Sequence, residues 1–214
     1  MLKTKVKASS ITNLTDARYF AAWEVQWLGF CLDPKSEDYI QPKNMNAIQA
    51  WVDGVTIVGE FELQSADEIA TSIELLKLPC IQVGMFTSAE ILIELNAKVP
   101  VIKEIVPPAE QGLHQLEELL DEFVPYCSLF LLQLEKIGIS WNDLDNAQKA
   151  SLQALCATYP IILSMAIEAT QLDSFLEAIK PVGLNVKGGV EEKVGYKSFD
   201  ELDDLFEAME TFAE

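Results

Sequence analysis

The reading of KVKASSITNLTDARYFAA, residues 5–22, decides the fold. Lys5 to Ala8 is a short extended stretch. Ser9 and Ser10 follow it, and then comes an amphipathic segment, DARYFAAWE (16–24), with Thr15 in place to cap it. This is one strand–loop–helix unit, and the unit returns along the whole chain. Further strand-like runs are VQWLGFCL (25–32), GVTIVGEF (54–61), PCIQVG (79–84), VPVIKEI (99–105), SLFLLQL (128–134), PIILSMA (160–166) and VGLNVKG (182–188). Several are near-continuous apolar runs, as parallel strands covered by helices require. Helix-like segments alternate with them at 42–52, 65–76, 88–96, 109–124, 144–159, 169–179 and 198–213. Ser65 with Glu68, and Ser198 with Glu201, have the spacing of a capping box.

The units average about 27 residues, the size expected of a (β/α)8 barrel. The expected fold class is therefore α/β, a single-domain (β/α)8 TIM barrel over residues 1–214. A doubly wound sheet is the rival that alternation alone leaves open.

Composition narrows the function. The formal net charge of −19 disfavours binding to a phosphate backbone. Residues 191–214 carry nine acids and two lysines, which reads as a solvated helix face. No stretch is long and apolar enough to span a membrane, and MLKTKVKASS has no apolar run behind it, so a cytoplasmic protein is expected. Cys31, Cys80, Cys127 and Cys156 are widely spaced, most of them among apolar neighbours, and read as buried free thiols. The single histidine, His114, falls in a helical pattern and reads as a surface or helix-packing residue, so a multi-histidine metal site is excluded.

In a barrel, chemistry belongs at the C-terminal ends of the strands. Those ends here offer Ser9 and Ser10, Asp33 to Asp38, Phe61 and Glu62, Gly84 and Met85, Lys103 and Glu104, Gln133 and Glu135, Ser164 to Ile167, and Lys187 to Glu191. Gly188 and Gly189 after the last strand, with Lys187, form a turn in which a phosphate could approach the backbone.

Taken in order, several of these blocks resemble the phosphoribosylanthranilate isomerase family of tryptophan biosynthesis. The blocks are VKASSITN (6–13), Gly29-Phe30 followed by PKSEDYI (34–40), Val58-Gly59-Glu60-Phe61, Gln82, Ile102-Lys103, and KGGVEEKVGYK (187–197). The resemblance implies an Amadori rearrangement of a phosphorylated aminoaldose, with no metal and no organic cofactor. It places the family's general base, a cysteine, at Ser9, and its general acid, an aspartate, at Gln133. It makes Asp38 the position of an arginine that pairs with the anthranilate carboxylate. Ser10 takes the place of a glycine, and Ser164 to Ile167 that of a glycine-rich phosphate turn. It thus assigns substrate binding to Gln82, Asp38, Ser164, Met165, Lys187, Gly188 and Gly189. A hydroxyl is a poor base and a carboxamide supplies no proton at neutral pH. The implied protein is an isomerase-like barrel impaired in the family reaction. An active isomerase, or another barrel enzyme on a phosphorylated small molecule, would need replacement residues such as Glu135. A phosphorylated small molecule is the expected partner, and the chain is expected as a monomer or homodimer. A mouth filled by Met85 and Met165 would favour a protein without the family reaction.

Overall fold

Side chains along a strand point alternately to its two faces. In this chain that alternation separates a polar interior end from an apolar shell. The computed structural model describes residues 1–108, 113, 116–188, 191–193, 196–197 and 199–211. Eight parallel strands, β1 (Lys5–Ser9), β2 (Trp27–Cys31), β3 (Thr56–Phe61), β4 (Cys80–Val83), β5 (Val101–Ile105), β6 (Leu129–Gln133), β7 (Ile161–Ser164) and β8 (Gly183–Lys187), form a closed barrel. Closure is made by β1 against β8, in register from Lys5 opposite Gly183 to Ser9 opposite Lys187. Closing the ring removes every sheet edge. The doubly wound alternative is thereby discarded. A short antiparallel pair, β9 (Glu191–Lys193) and β10 (Tyr196–Lys197), follows the last barrel strand.

Eight helices pack outside the barrel: α1 (Leu14–Ala22), α2 (Pro42–Gln49), α3 (Ala66–Leu76), α4 (Ala89–Asn96), α5 (Leu116–Phe123), α6 (Asn146–Thr158), α7 (Leu172–Ile179) and α8 (Asp200–Met209). The outward residues of each strand, such as Val6, Ala8, Phe130 and Leu132, join helix residues such as Phe20, Phe175 and Phe206 in one large core. Inward residues at the N-terminal half of the barrel, Trp27, Val58, Cys80, Ile102, Leu131 and Ile162, form a second apolar cluster. Two residues further along those strands the inward positions turn polar: Glu60, Gln82, Glu104, Gln133 and Ser164. The barrel therefore has an apolar floor and a polar mouth.

The capping box at Ser65 and Glu68 is present. At α1 the cap differs from expectation. Asn13, in extended conformation, accepts the Asp16 N–H at 2.9 Å, while Thr15 lies inside the first turn. An amide side chain one residue before the helix outcompetes a hydroxyl already within it. The fifth helix is described from Leu116 to Phe123. Residues 109–112, His114 and Gln115 lie outside the described residues, and so does Ser198, the residue expected to cap the last helix. Stacked rings seat the last helix on the first: Tyr19 lies on Phe199 at 4.1 Å and Trp23 on Phe206 at 5.2 Å.

All four cysteines are free and buried. Burial pushes the thiol of Cys156 up to about 12 from its usual 9. The unfolded chain releases that proton near pH 9 while the folded chain holds it, so stability falls as pH rises above 9. Each such thiol contributes a slope of about 1.4 kcal/mol per pH unit. Urea denaturation of wild type and Cys156→Ala between pH 8 and 11 should show a shallower alkaline decline in the variant. Equal slopes would contradict this assignment.

Candidate functional site

The mouth is organised by a lysine buried in the barrel. Lys7 on β1 points inward, two residues before Ser9, and is inaccessible to solvent. Its Nζ donates to Glu60 Oε1 of β3 at 2.5 Å and to Ser9 Oγ at 2.6 Å. The second oxygen of Glu60 accepts the Ser10 N–H at 3.0 Å. Ser10 reaches that position with a φ of +56°, a conformation that favours glycine. Between the strands that carry the ion pair stands Gly29. A Cβ built there would lie 2.0 Å from Glu60 Oε1 and 3.0 Å from Lys7 Nζ. The pair therefore requires a glycine at 29.

From Lys7 a chain of donors runs one way across the barrel. Ser9 accepts a hydrogen bond from Lys7 and donates one to Asn185 Oδ1 at 2.6 Å. Asn185 Nδ2 donates to Ser164 Oγ at 3.4 Å, and Ser164 donates to Glu135 Oε2 at 3.2 Å. The chain begins at an ammonium and ends at a carboxylate, so each bond polarises the next.

A second polar cluster lies across the mouth. Glu104 of β5 accepts from Lys136, which follows β6, and from Gln82 Nε2 at 3.2 Å. Burial alone would lower the Lys136 ammonium. Its hydrogen bond to Glu104 and the charges of Glu104, Glu62 and Glu60 outweigh that and raise it above the ordinary lysine value. Burial first, and then the charge of Glu104, raise the Glu62 carboxyl. On the rim, Lys187 of β8 binds Asp38 at 2.6 Å.

These groups surround a cavity of about 410 Å3, whose lining includes Ser9, Gln82, Gln133, Ser164, Asp38 and Lys187. Those six residues, named from the sequence, do come together there. Gly188 lies just beyond β8, and Gly189 is outside the described residues. Met165 does not belong with them. β7 turns Ile162 and Ser164 inward, so Met165 faces outward and is buried in the shell between barrel and helices. Met85 is also absent from the lining, and the mouth is an open polar cavity, not an apolar plug. Phe61 likewise points into the outer core.

Lys103 corrects the expectation of a strand-end amine at the mouth. On β5 it alternates with the inward Ile102 and Glu104, so it points outward. There it donates to the carbonyls of Gly84, Met85 and Thr87 at 2.7–3.1 Å. Burial depresses its ammonium to about 8. Its work is to tie down the loop after β4.

Lys7, Glu60, Asn185 and Lys136 were missed by inspection of strand ends. Three of them sit two residues before a residue that was noticed: Ser9, Glu62 and Lys187. Period-two spacing is the signal that finds them. Among the described residues no three His, Cys, Asp or Glu side chains cluster as metal ligands, and no helix is long and apolar enough to cross a membrane.

Removing one member of a buried ion pair strands the other and typically costs about 3–5 kcal/mol, whereas replacing both by apolar groups is often tolerated. Glu60→Leu should therefore lower unfolding free energy by about 3 kcal/mol or more. Lys7→Met with Glu60→Leu should recover most of the loss. Denaturant titration of the two variants checks this, and a double variant no more stable than Glu60→Leu would contradict the pairing.

Comparison with known proteins supplies the family context. Residues 6–208 match the profile of the family described as N-(5'-phosphoribosyl)anthranilate (PRA) isomerase. The isomerase of Maridesulfovibrio salexigens is 27% identical over 207 residues, covering 95% of this chain and 97% of that protein. The crystal structure of phosphoribosyl anthranilate isomerase from Thermus thermophilus superposes with a TM-score of 0.76 at 28% identity, covering 96% of this chain and 98% of that one. A family structure in complex with reduced 1-(o-carboxyphenylamino)-1-deoxyribulose 5-phosphate is similar in fold, with a TM-score of 0.73 at 21% identity, and covers 96% and 98% of the two chains.

Proposed function

Because the chain belongs to the N-(5'-phosphoribosyl)anthranilate isomerase family of tryptophan biosynthesis, we propose that it is a barrel of that family which has lost the isomerisation and binds a small molecule at its mouth. The family reaction needs a base to take the proton from C2′ and an acid to protonate the furanose ring oxygen. Each of the two groups is worth about 10²–10⁴-fold in rate.

One observation carries the reading. The Ser9 hydroxyl, at the position the resemblance assigns to the base, accepts a hydrogen bond from the Lys7 ammonium and donates one to Asn185 Oδ1. A hydroxyl that accepts from an ammonium is made less basic, and among the described residues its side-chain partners, Lys7 and Asn185, include no carboxylate or imidazole to activate it. Gln133, at the position of the acid, presents a carboxamide to the same cavity. Glu135 holds the end of the Ser9–Asn185–Ser164 chain.

The charge balance supports the same conclusion. A phosphorylated anthranilate brings a carboxylate and a phosphate. The chain's single arginine, Arg18, lies on α1 and does not line the cavity. The three lysines of the mouth are each bound to a carboxylate: Lys7 to Glu60, Lys136 to Glu104, and Lys187 to Asp38. A bidentate clamp on an incoming carboxylate is missing from the described lining.

Purified protein assayed for consumption of phosphoribosylanthranilate, beside an active family enzyme, should show kcat/KM lower by at least about 10⁴-fold. Ser9→Cys with Gln133→Asp should not restore it, since the Lys187–Asp38 pair still occupies the rim. Turnover at a normal enzymatic rate that Ser9→Ala abolishes would overturn the proposal.

A further inference from the structure

Gln133, at the end of β6, presents a free carboxamide to the cavity. Leu131, two residues earlier, points inward to the apolar floor, and Phe130 and Leu132 point outward to the shell. Gln133 therefore points inward, where it lines the cavity and is 7% exposed. Its carboxamide makes no hydrogen bond among the described residues. Neither its oxygen nor its nitrogen belongs to the partnerless polar atoms that are closed to solvent, a set that does include the Gln82 oxygen. Both atoms are thus open, and the space they open onto is the cavity. A polar side chain so nearly buried ordinarily finds a protein partner. Here two N–H donors and an acceptor oxygen are left for a ligand.

The rest of the lining says which kind. Apart from Cys31, every lining side chain is a hydroxyl, an amide, a carboxylate or an ammonium, and none is aromatic. Sites for ring systems are lined mainly by apolar and aromatic groups. This cavity offers a planar ring no surface to lie on. An anion fares no better, because Lys7, Lys136 and Lys187 are each bound to a carboxylate. Two further carboxylates have spare acceptor oxygens. Glu62 makes no side-chain hydrogen bond or ion pair among the described residues, and Glu135 accepts only from Ser164, which lies opposite Gln133 in register. A fitting ligand group must donate to these oxygens and accept from the Gln133 N–H. A hydroxyl does both, and carries no charge.

We infer that the mouth binds an unphosphorylated sugar, a pentose or hexose, whose neighbouring hydroxyls bond to the two ends of the Gln133 carboxamide and to the spare carboxylate oxygens. The inference rests on the binding role proposed above. It narrows the ligand to a neutral polyol that lacks both the phosphate and the aromatic ring of the family's substrates. The volume of about 410 Å3 lies at the lower end of small-molecule sites, as such a ligand requires.

The test is titration of 15N-labelled protein with D-ribose and with D-glucose, followed through the side-chain NH2 signals of Gln133 and Asn185. Ribose 5-phosphate and benzamide serve as parallel titrants. At least one free sugar should shift both pairs of signals saturably, and its affinity should be insensitive to salt because no charge is matched. Gln133→Leu, followed through Asn185, should weaken binding at least about fivefold, the order of one lost neutral hydrogen bond. Gln133 has no protein partner to lose, so that variant keeps its fold, and the titration of the unaltered protein stands without it. The inference is overturned if neither sugar saturates, if ribose 5-phosphate binds more tightly than ribose, if benzamide shifts the same signals at lower concentration, or if Gln133→Leu leaves the affinity unchanged. Turnover of phosphoribosylanthranilate would defeat the loss of isomerisation, whereas failure of both sugars without turnover defeats the ligand class alone.

Discussion

A buried ammonium must be matched by opposite charge and hydrogen bonds, or it tends to give up its proton. Lys7 is such a group, and the composition of the mouth follows from how its charge is met. Glu60 supplies the opposite charge from β3. The carboxylate must cross the width of β2 to do so, which is why residue 29 has no side chain. Its other oxygen takes the Ser10 N–H and so holds the chain in a left-handed turn at the exit from β1. The remaining Lys7 proton goes to Ser9, which fixes where the Ser9 proton goes in turn. The residues at the top of β1, β2, β3 and β8 are one electrostatic unit.

That unit shares the barrel with an apolar floor of Trp27, Val58, Cys80, Ile102, Leu131 and Ile162. The division has a simple basis in each strand. One inward residue is apolar and the next inward residue is polar, as in Val58 and Glu60 or Ile102 and Glu104. The floor excludes water and supports the fold. It also lowers the dielectric beneath the mouth, so that charges there act more strongly on one another than they would on an open surface. The Glu62 carboxyl is raised chiefly by burial and then by the charge of Glu104, against the opposing charge of Lys136.

The barrel was legible because apolar runs and helical segments alternate without interruption; β2 to β8 fall inside the runs read from the sequence, and β1 extends one residue past its run, to Ser9. The cap at Asn13 was not, since Thr15 and Asn13 are both good capping residues and only the backbone decides between them. Several residues of the mouth could be named from strand ends. Their directions could not be named as surely: Met165 and Lys103 are one residue out of phase with the inward set, and a one-residue shift sends a side chain to the opposite face. Glu60 was hidden in GVTIVGEF, where a lone acid within an apolar run reads as part of a strand. Partner choice was the least legible property. Nothing local couples Asp38 to Lys187, which lie on opposite sides of the closure and meet only when the ring is complete.

The one-way chain from Lys7 through Ser9, Asn185 and Ser164 to Glu135 has an evolutionary consequence. Every member donates onward, so exchanging one for a group of different valence leaves two neighbours unsatisfied. A thiol at residue 9 would be a weaker acceptor for the ammonium and a weaker donor to the amide. Substitutions at these positions are therefore epistatic: the effect of each depends on the state of the others. Single exchanges within this network are expected to cost stability unless their neighbours change with them, whereas rim residues outside the chain of donors carry no such constraint.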